Sequence, residues 1–274
     1  MSDPPDDWID AERPDPYVGT VIADRYRIIY KLGQGGIGVV YLAEHIHIEK
    51  RVAIKLLAEH LSLSPGLIPN LLQEAKTTAK IRHENIVDIT DFGKTELGNV
   101  FLVMEYLEGR SLSDEITSGG PIPVARVRTI MAQVFSALSA AHAKDIIHRD
   151  LKPENLFLIT VDKRVDFVKV LDFGLSSMRT LGEKRHSAVG SELVGTPHYM
   201  SPEQIQGEPP DRSFDIYAAG CVVYEMLTGK PAFDAATVVG ILLKQVRENP
   251  PPPSQRAPRG TVSQRLERIS KMVD

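Results

Sequence analysis

The apolar pattern of this 274-residue chain changes period once, close to Gly109, and that change limits the folds open to it. Up to residue 106 the apolar residues fall in short β-branched runs, at 26–32, 39–46, 52–57, 86–90 and 100–106, separated by Gly, Asn and charged turn residues. One segment differs: within 67–81, Leu71, Leu72, Ala75 and Ala79 recur at helical spacing. Beyond Gly109 the pattern is mostly helical. Val124, Val127, Met131, Val134, Leu138 and Ala141 line one face of a long helix, and a second, buried helix spans 215–228, stopped by Gly229 after its C-cap. Between them, residues 156–159 and 165–170 read as a small hairpin. A strand-rich lobe with one inserted helix, followed by a helical lobe, is an α+β arrangement.

Composition narrows the class further. With 42% hydrophobic and 25% charged residues the chain builds a soluble globular core. The lone cysteine, Cys221, excludes an internal disulfide, and no stretch approaches the roughly 18 apolar residues of a membrane span, so a cytoplasmic protein is expected. Residues 1–16 hold six acids against one base, which leaves the rest of the chain at +1. A nearly neutral body lacks the basic stripe of a nucleic-acid binder. Residues 1–22 read as a disordered acidic tail in which Trp8 is a lone aromatic, and 250–253 as a rigid proline connector. His45 and His47 share a strand face without a third metal ligand, so they read as surface or packing residues; Cys221 reads as a buried, inert thiol.

The chemistry begins at Gly33-Gln34-Gly35-Gly36-Ile37-Gly38-Val39-Val40. Such glycines also mark dinucleotide folds, where they join a strand to a helix. Here strands lie on both sides, so the loop joins two strands and offers backbone N–H groups to phosphate without a helix terminus. Lys55 follows inside the apolar run Val52-Ala53-Ile54, and Glu74 lies in the inserted helix. The densest run is His148-Arg149-Asp150-Leu151-Lys152-Pro153-Glu154-Asn155, with Asp172-Phe173-Gly174 after it.

These motifs, with Gly195-Thr196-Pro197-His198-Tyr199-Met200-Ser201-Pro202-Glu203-Gln204, resemble the eukaryotic-like (Hanks-type) serine/threonine protein kinases, in their bacterial branch, from about Tyr26 to near the end of the chain. The resemblance implies a bilobal kinase-like fold: a five-stranded antiparallel sheet with one helix over about 23–106, and a mostly helical lobe over about 107–274. It implies ATP and Mg²⁺, with Mn²⁺ as the alternative ion, and protein substrates with Ser or Thr acceptors. Leu32, Val40, Ala53, Met104 and Phe157 would surround the adenine, Glu105–Leu107 would read its edge, and Gly33, Gln34, Gly35, Gly36, Ile37, Gly38 and Val39 would cover the phosphates. Lys55, held by Glu74, would bind the α- and β-phosphates; Asn155 and Asp172 would hold the metal; Asp150 would take the proton of the acceptor hydroxyl. Lys152 would neutralise the transferred phosphoryl group, Thr196 marks the Ser/Thr branch, His148 would be a buried scaffold residue, and Asp215 would anchor the catalytic loop from behind.

The chain departs from the family pattern in places. Ile37 replaces an aromatic at the loop tip, Phe157 replaces a smaller residue, and Ser201 replaces an alanine. Thr78, one turn beyond Glu74, stands where a bulky apolar residue completes a packed column, so a weaker column and a more mobile helix are expected. Arg149 implies pairing with a phosphate on the activation segment 175–194, where the usual phosphothreonine position is Glu192; partial mimicry by Glu192, augmented by autophosphorylation at Ser187 or Ser191, is expected. The helix-like stretch 262–273 is one after which the family continues, and no arginine partner for Glu203 precedes Asp274, so a truncated C-terminus is expected. The alternatives to an active kinase are a nucleotide-binding scaffold, which would normally lack one of the five residues Lys55, Glu74, Asp150, Asn155 and Asp172, and a truncated kinase of low activity.

Overall fold

The computed structural model describes residues 15–62, 67–173 and 197–258; within these, the side chains of His60, Leu67, Asn70, Leu71, Glu74 and Ala75 are outside the description. Residues 1–14, Gly174, the segment 175–194 with Glu192, Thr196 and the stretch 262–273 also lie outside it. The described residues form two compact units, 15–62 with 91–106, and 67–90 with 107–173 and 197–258.

The first unit is built on an antiparallel core of β2 (Tyr26–Gly35), β3 (Gly38–His45), β4 (Lys50–Leu57) and β6 (Val100–Glu105). With β1 (Val21–Ile22) and β5 (Ile89–Lys94) these make a sheet in the order β1-β2-β3-β4-β6-β5. Alternation gives the sheet two faces. Tyr26, Ile28, Tyr41, Ala43, Val52, Ile54, Leu56, Phe101 and Val103 pack as one apolar cluster on the first. The opposite face belongs to the candidate site. A short helix, α1 (Glu59–Ser62), follows β4, and its Ser62 hydroxyl accepts from the Val100 amide at 3.1 Å.

Six strands form where five were expected. The extra one is β1, paired through Val21 with Arg27 and Ile22 with Tyr26, and Ile22 is buried in the cluster. The disordered tail expected over 1–22 is therefore corrected for 15–22. Tyr17 packs on the cluster and its hydroxyl accepts from Asn99 at 2.6 Å, while the Asp15 carboxylate accepts from Tyr41 at 3.0 Å. The Pro-rich, acidic composition hid these contacts, which need only two short apolar or aromatic anchors. The strand expected at 86–90 is displaced to β5. Ile86 and Val87 are buried in the second unit, where Ile86 bridges Val170 in parallel and the Val87 amide donates to the Val170 carbonyl at 3.0 Å.

The second unit contains α2 (Leu67–Thr78), β7 (Gly109–Ser111), α3 (Leu112–Gly119), α4 (Val124–His142), the hairpin β8 (Leu156–Val161) and β9 (Arg164–Val170), and then α5 (Pro202–Ile205), α6 (Ser213–Thr228), α7 (Val238–Arg247) and α8 (Pro253–Arg256). The helix α2, expected in the strand-rich lobe, groups with this unit, because the chain leaving it buries Ile81 and Ile86 in the unit's apolar cluster. Of the residues expected on the inner face of α4, Val127, Met131, Val134, Leu138 and Ala141 are buried and Val124 packs at the margin. The α6 helix ends as read: Gly229 is left-handed at φ 72° and returns its amide to Glu225. The hairpin is longer than expected. Asp162 and Lys163 both take positive φ, the two-residue turn that matches strand twist, and β7 joins it to form a three-stranded sheet. A Cβ at Gly109 would meet the Leu158 carbonyl oxygen at 2.1 Å, so that close pairing needs glycine.

Two polar devices tie these elements together. Ser111 and Asp114 form a reciprocal capping box at the start of α3. Arg126 on α4 makes a two-bond fork to Asp166 on β9, both at 2.7 Å, and also pairs with Glu115 on α3. The Arg126 guanidinium holds the Asp166 carboxyl below the usual carboxylate range. Among the described residues no helix is long and apolar enough to cross a membrane.

Candidate active site

In the first unit the register of the sheet assembles the candidate residues. Val40 on β3 lies opposite Gly33 on β2 and Lys55 on β4, and Lys55 lies opposite Leu102 on β6. One row along, Leu42, Ala53 and Met104 are partners. Directly opposed residues share a face, so Val40, Ala53, Lys55 and Met104 converge on the face away from the apolar cluster. Lys55 is 7% exposed among these apolar neighbours, which places a cation in a largely dry surface. Leu32 is skipped at a register shift between Lys31 and Gly33, a bulge that turns the strand into the glycine loop, and Glu105 closes β6. Val39 does not join this face: its side chain packs on the apolar cluster.

The glycines of the loop have different causes. A Cβ at Gly38 would meet the Leu56 carbonyl oxygen at 2.1 Å, so the fold itself demands glycine there. At Gly33 and Gly35 a Cβ would meet nothing within 4 Å. Among the described residues nothing requires those two to lack side chains, and bare backbone facing open space is the cradle a polyphosphate needs. Gly36 and Ile37 form the turn between β2 and β3, and the Ile37 carbonyl accepts from the Ala58 amide at 2.9 Å. Gln34 is exposed, and its side-chain oxygen accepts from Lys31 at 2.6 Å.

In the second unit an irregular loop is held by one buried carboxylate. Asp215, fully buried near the start of α6, accepts from the amides of His148 and Arg149, both at 2.9 Å, and from His142 Nε2 at 2.7 Å. Arg149 has left-handed φ of 64°, a conformation these bonds support. Its carbonyl accepts from Gln204 at 3.2 Å, and its buried Nε has no hydrogen-bond partner among the described residues. The Asp150 amide donates to His148 Nδ1 at 3.3 Å, so the histidine proton sits on Nε2, which donates to the Leu171 carbonyl at 2.8 Å.

Asp150, Lys152 and Asn155 come together at the end of this loop. Asp150 Oδ2 lies 3.2 Å from Lys152 Nζ and 3.3 Å from Asn155 Nδ2, and the same Nδ2 donates to the Asp150 carbonyl at 2.8 Å. That fixes the Asn155 amide, on a 3-10 turn of Pro153–Asn155, and turns its oxygen away from these bonds. The Asn155 carbonyl accepts from the Leu171 amide at 2.8 Å, which brings Asp172 beside the loop. An amide oxygen and a carboxylate are the hard donors a small divalent cation takes alongside phosphate oxygens and water, so this pair fits Mg²⁺. Phe157, half-buried on β8, and Leu107, half-buried just before β7, lie in the same unit. Glu74 is on α2.

Other departures in the sequence acquire physical explanations here. Ser201 caps α5, accepting from the Gln204 amide at 3.2 Å, a bond alanine cannot make. Thr78 is buried and its hydroxyl donates to the Phe173 carbonyl. Cys221 is buried, which pushes its thiol up to about 12 and keeps it protonated. His45 and His47 meet ring to ring at 5.8 Å, and no group of three metal-binding side chains occurs among the described residues. Sequence reading missed Leu42 and Leu102 on the site face, and His142 and Gln204 behind the 148–155 loop. The first pair depends on cross-strand register and the second on contacts across 73 and 55 residues, so neither leaves a local signal.

The protein kinase domain family matches residues 26–270. The chain is similar to serine/threonine-protein kinase pkn3 of Myxococcus xanthus, 38% identical over 256 residues, 93% of this chain and 47% of that protein. It is also similar to serine/threonine-protein kinase Pkn1 of the same organism, 41% identical over 259 residues, 94% of this chain and 36% of that protein. It thus spans less than half the length of either. The crystal structure of a double mutant of the Mycobacterium tuberculosis PknI kinase domain shares the fold, with a TM-score of 0.69 at 23% identity, covering 94% of this chain and 90% of that one.

Proposed function

The chain belongs to the protein kinase domain family, and on that premise we propose that it transfers the γ-phosphate of ATP to serine and threonine hydroxyls of protein substrates, itself included. The observation that supports this most is the polar cluster of Asp150, Lys152 and Asn155, fixed by a buried carboxylate and set beside Asp172.

The residues divide the work. The apolar face of Val40, Ala53 and Met104, with Leu32 beside it, receives the adenine, and the bare backbone at Gly33 and Gly35 covers the phosphates. Lys55 holds the α- and β-phosphates. Asn155 and Asp172 would hold Mg²⁺, which would supply neutralisation of phosphate charge when bound. Asp150 orients the acceptor hydroxyl and takes its proton as the oxygen–phosphorus bond forms and the bond to the departing ADP oxygen breaks. Lys152, within 3.2 Å of that carboxylate, offsets charge on the phosphoryl oxygens. Glu192 is proposed to stand in partly for a phosphate opposite Arg149; equal rates for dephosphorylated Glu192→Ala and dephosphorylated wild type would remove that reading.

The test is incubation with Mg-ATP labelled at the γ-position, a generic protein substrate, and hydrolysis of the product to amino acids. Phosphoserine or phosphothreonine is expected, with no phosphotyrosine. Absence of label from a protein that binds Mg-ATP would favour a nucleotide-binding scaffold.

A further inference from the structure

Within Asp15-Pro16-Tyr17-Val18-Gly19-Thr20 only Asp15 and Tyr17 are part-buried, and the other four residues are exposed. The segment is a compact turn. Asp15 accepts from the Tyr17 amide at 3.0 Å, the Thr20 hydroxyl donates to the Tyr17 carbonyl at 2.7 Å, and Gly19 takes the left-handed φ of 83° that returns the chain to β2. Two inward anchors hold it on the sheet face that carries the apolar cluster. The Tyr17 ring packs on that cluster, 6.0 Å from the Tyr41 ring, and its hydroxyl accepts from Asn99 in the turn between β5 and β6. The Tyr41 hydroxyl donates to the Asp15 carboxylate at 3.0 Å. Burial, with that carboxylate beside it, pushes the Tyr41 hydroxyl above its ordinary range, so it stays protonated and donates.

The strap grips the sheet where its pairing is irregular. Strand β2 slips twice against β3, between Ile28 and Tyr30 and again between Lys31 and Gly33, just before the glycine loop. A strand that bulges twice in so few residues is held in register only weakly by its own ladder. Ile28 is the last regularly paired residue before the first slip, and the strap takes both of its backbone groups from the far side: the Gly19 amide donates to its carbonyl and its amide donates to the Thr20 carbonyl, each at 2.9 Å. On β3 the gripped residue is Tyr41, the partner of Lys31 between the two slips. Val39, the partner of Gln34 in the loop, packs on the same cluster as Tyr17. With open space at Gly33 and Gly35, the loop is placed by whatever places these two strands.

We propose that Tyr17 is a positioning residue for nucleotide binding: its ring seats the 15–20 strap on Tyr41 and the apolar cluster, and the strap fixes β2 and β3 at the slips that aim the glycine loop 33–38. The inference rests on the kinase reading for what the loop binds and on geometry alone for the coupling. The strap touches no site residue itself. It acts from the opposite face, because Tyr41 lies between Val40 and Leu42, and fixing one side of the pleat fixes the other.

The test compares Tyr17→Ala, which removes the ring, with Tyr17→Phe, which keeps it. Steady-state phosphorylation of a generic protein substrate at varied Mg-ATP separates KM from kcat, and amide exchange without ligand is followed over 33–40. In Tyr17→Ala the KM for ATP rises about three- to tenfold while kcat stays within about twofold of wild type, because a loosened loop weakens binding of the ground and transition states alike. Exchange over 33–40 rises in the same variant, and Tyr17→Phe lies nearer wild type in both readouts. A folded Tyr17→Ala with unchanged KM and exchange, even with a lower Tm, overturns the proposal, and so does a fall in kcat at constant KM. Equal losses in Tyr17→Phe overturn the assignment to the ring. Wild type alone covers the case of an unfolded Tyr17→Ala: coupling is reciprocal, so a bound non-hydrolysable ATP analogue slows exchange over 15–22, and no slowing overturns the coupling. If wild type binds no analogue, the kinase reading fails, while ligand-free exchange over 33–40 in Tyr17→Ala still decides whether the strap holds the loop.

Discussion

The two units bring chemistry together by different means. In the first, regular β-pairing does it: Val40, Ala53, Lys55 and Met104 share a face because strand register puts them there, and each is held by many backbone bonds at once. In the second, a loop with left-handed backbone at Arg149 gathers its buried support at the carboxylate of Asp215, which satisfies three donors. Redundancy makes the first tolerant of single side-chain changes. Concentration of contacts on one buried acid makes the second fragile.

The sharpest way to break the contrast is Asp215→Ala. It strips the acceptor from two amides and a histidine in a fully buried place, and a loss of about 3–5 kcal/mol in chemical denaturation is expected, with transfer abolished. A cost below about 1 kcal/mol would show that the loop is held by something else. Next in size is Gly38→Ala, whose Cβ would sit 2.1 Å from the Leu56 oxygen; a loss of about 1–3 kcal/mol is expected. By contrast Gly33→Ala and Gly35→Ala, with open space at the Cβ, should stay within about 0.5 kcal/mol of wild type while raising the KM for ATP. If all three glycines behave alike in thermal melts, the division between fold-required and nucleotide-required glycines is wrong.

Arg126→Ala comes third and adds a pH dependence. Because Arg126 lowers the folded-state pKa of Asp166, the pair stabilises above the unfolded carboxylate value of about 3.9 and loses that contribution as pH falls through the lower folded value. The stability gap between wild type and Arg126→Ala should therefore be full at pH 7 and shrink below about pH 4; a gap that widens in acid would contradict the assignment. Smallest is Ser111→Ala, which removes the capping box of α3 for about 1 kcal/mol, read as a small shift in Tm.

The same contrast explains what the sequence disclosed. Strands β2, β3, β4 and β6, the inner face of α4 and the Gly229 stop were readable because they rest on local periodicity and one special backbone position. The motif residues Lys55, Asp150, Asn155 and Asp172 were readable through family resemblance, since a lone lysine in an apolar strand has no chemistry of its own. What stayed hidden depends on distant partners. Ile86 and Val87 looked like a strand but left the first unit to bury against Val170, and Asp15 and Tyr17 looked like tail but met Tyr41 and Asn99. The acceptor of Thr78 lies 95 residues away, where no local pattern discloses it.

The central claim, that the fixed cluster around Asp150 performs phosphoryl transfer while other residues hold the nucleotide, is tested most directly by comparing wild type with Asp150→Asn in two assays side by side. Both proteins should gain the same thermal stabilisation from Mg-ATP, and only wild type should label a protein substrate, with the variant down about 10²- to 10⁴-fold. Equal labelling by the two, or loss of nucleotide binding together with labelling, would contradict it.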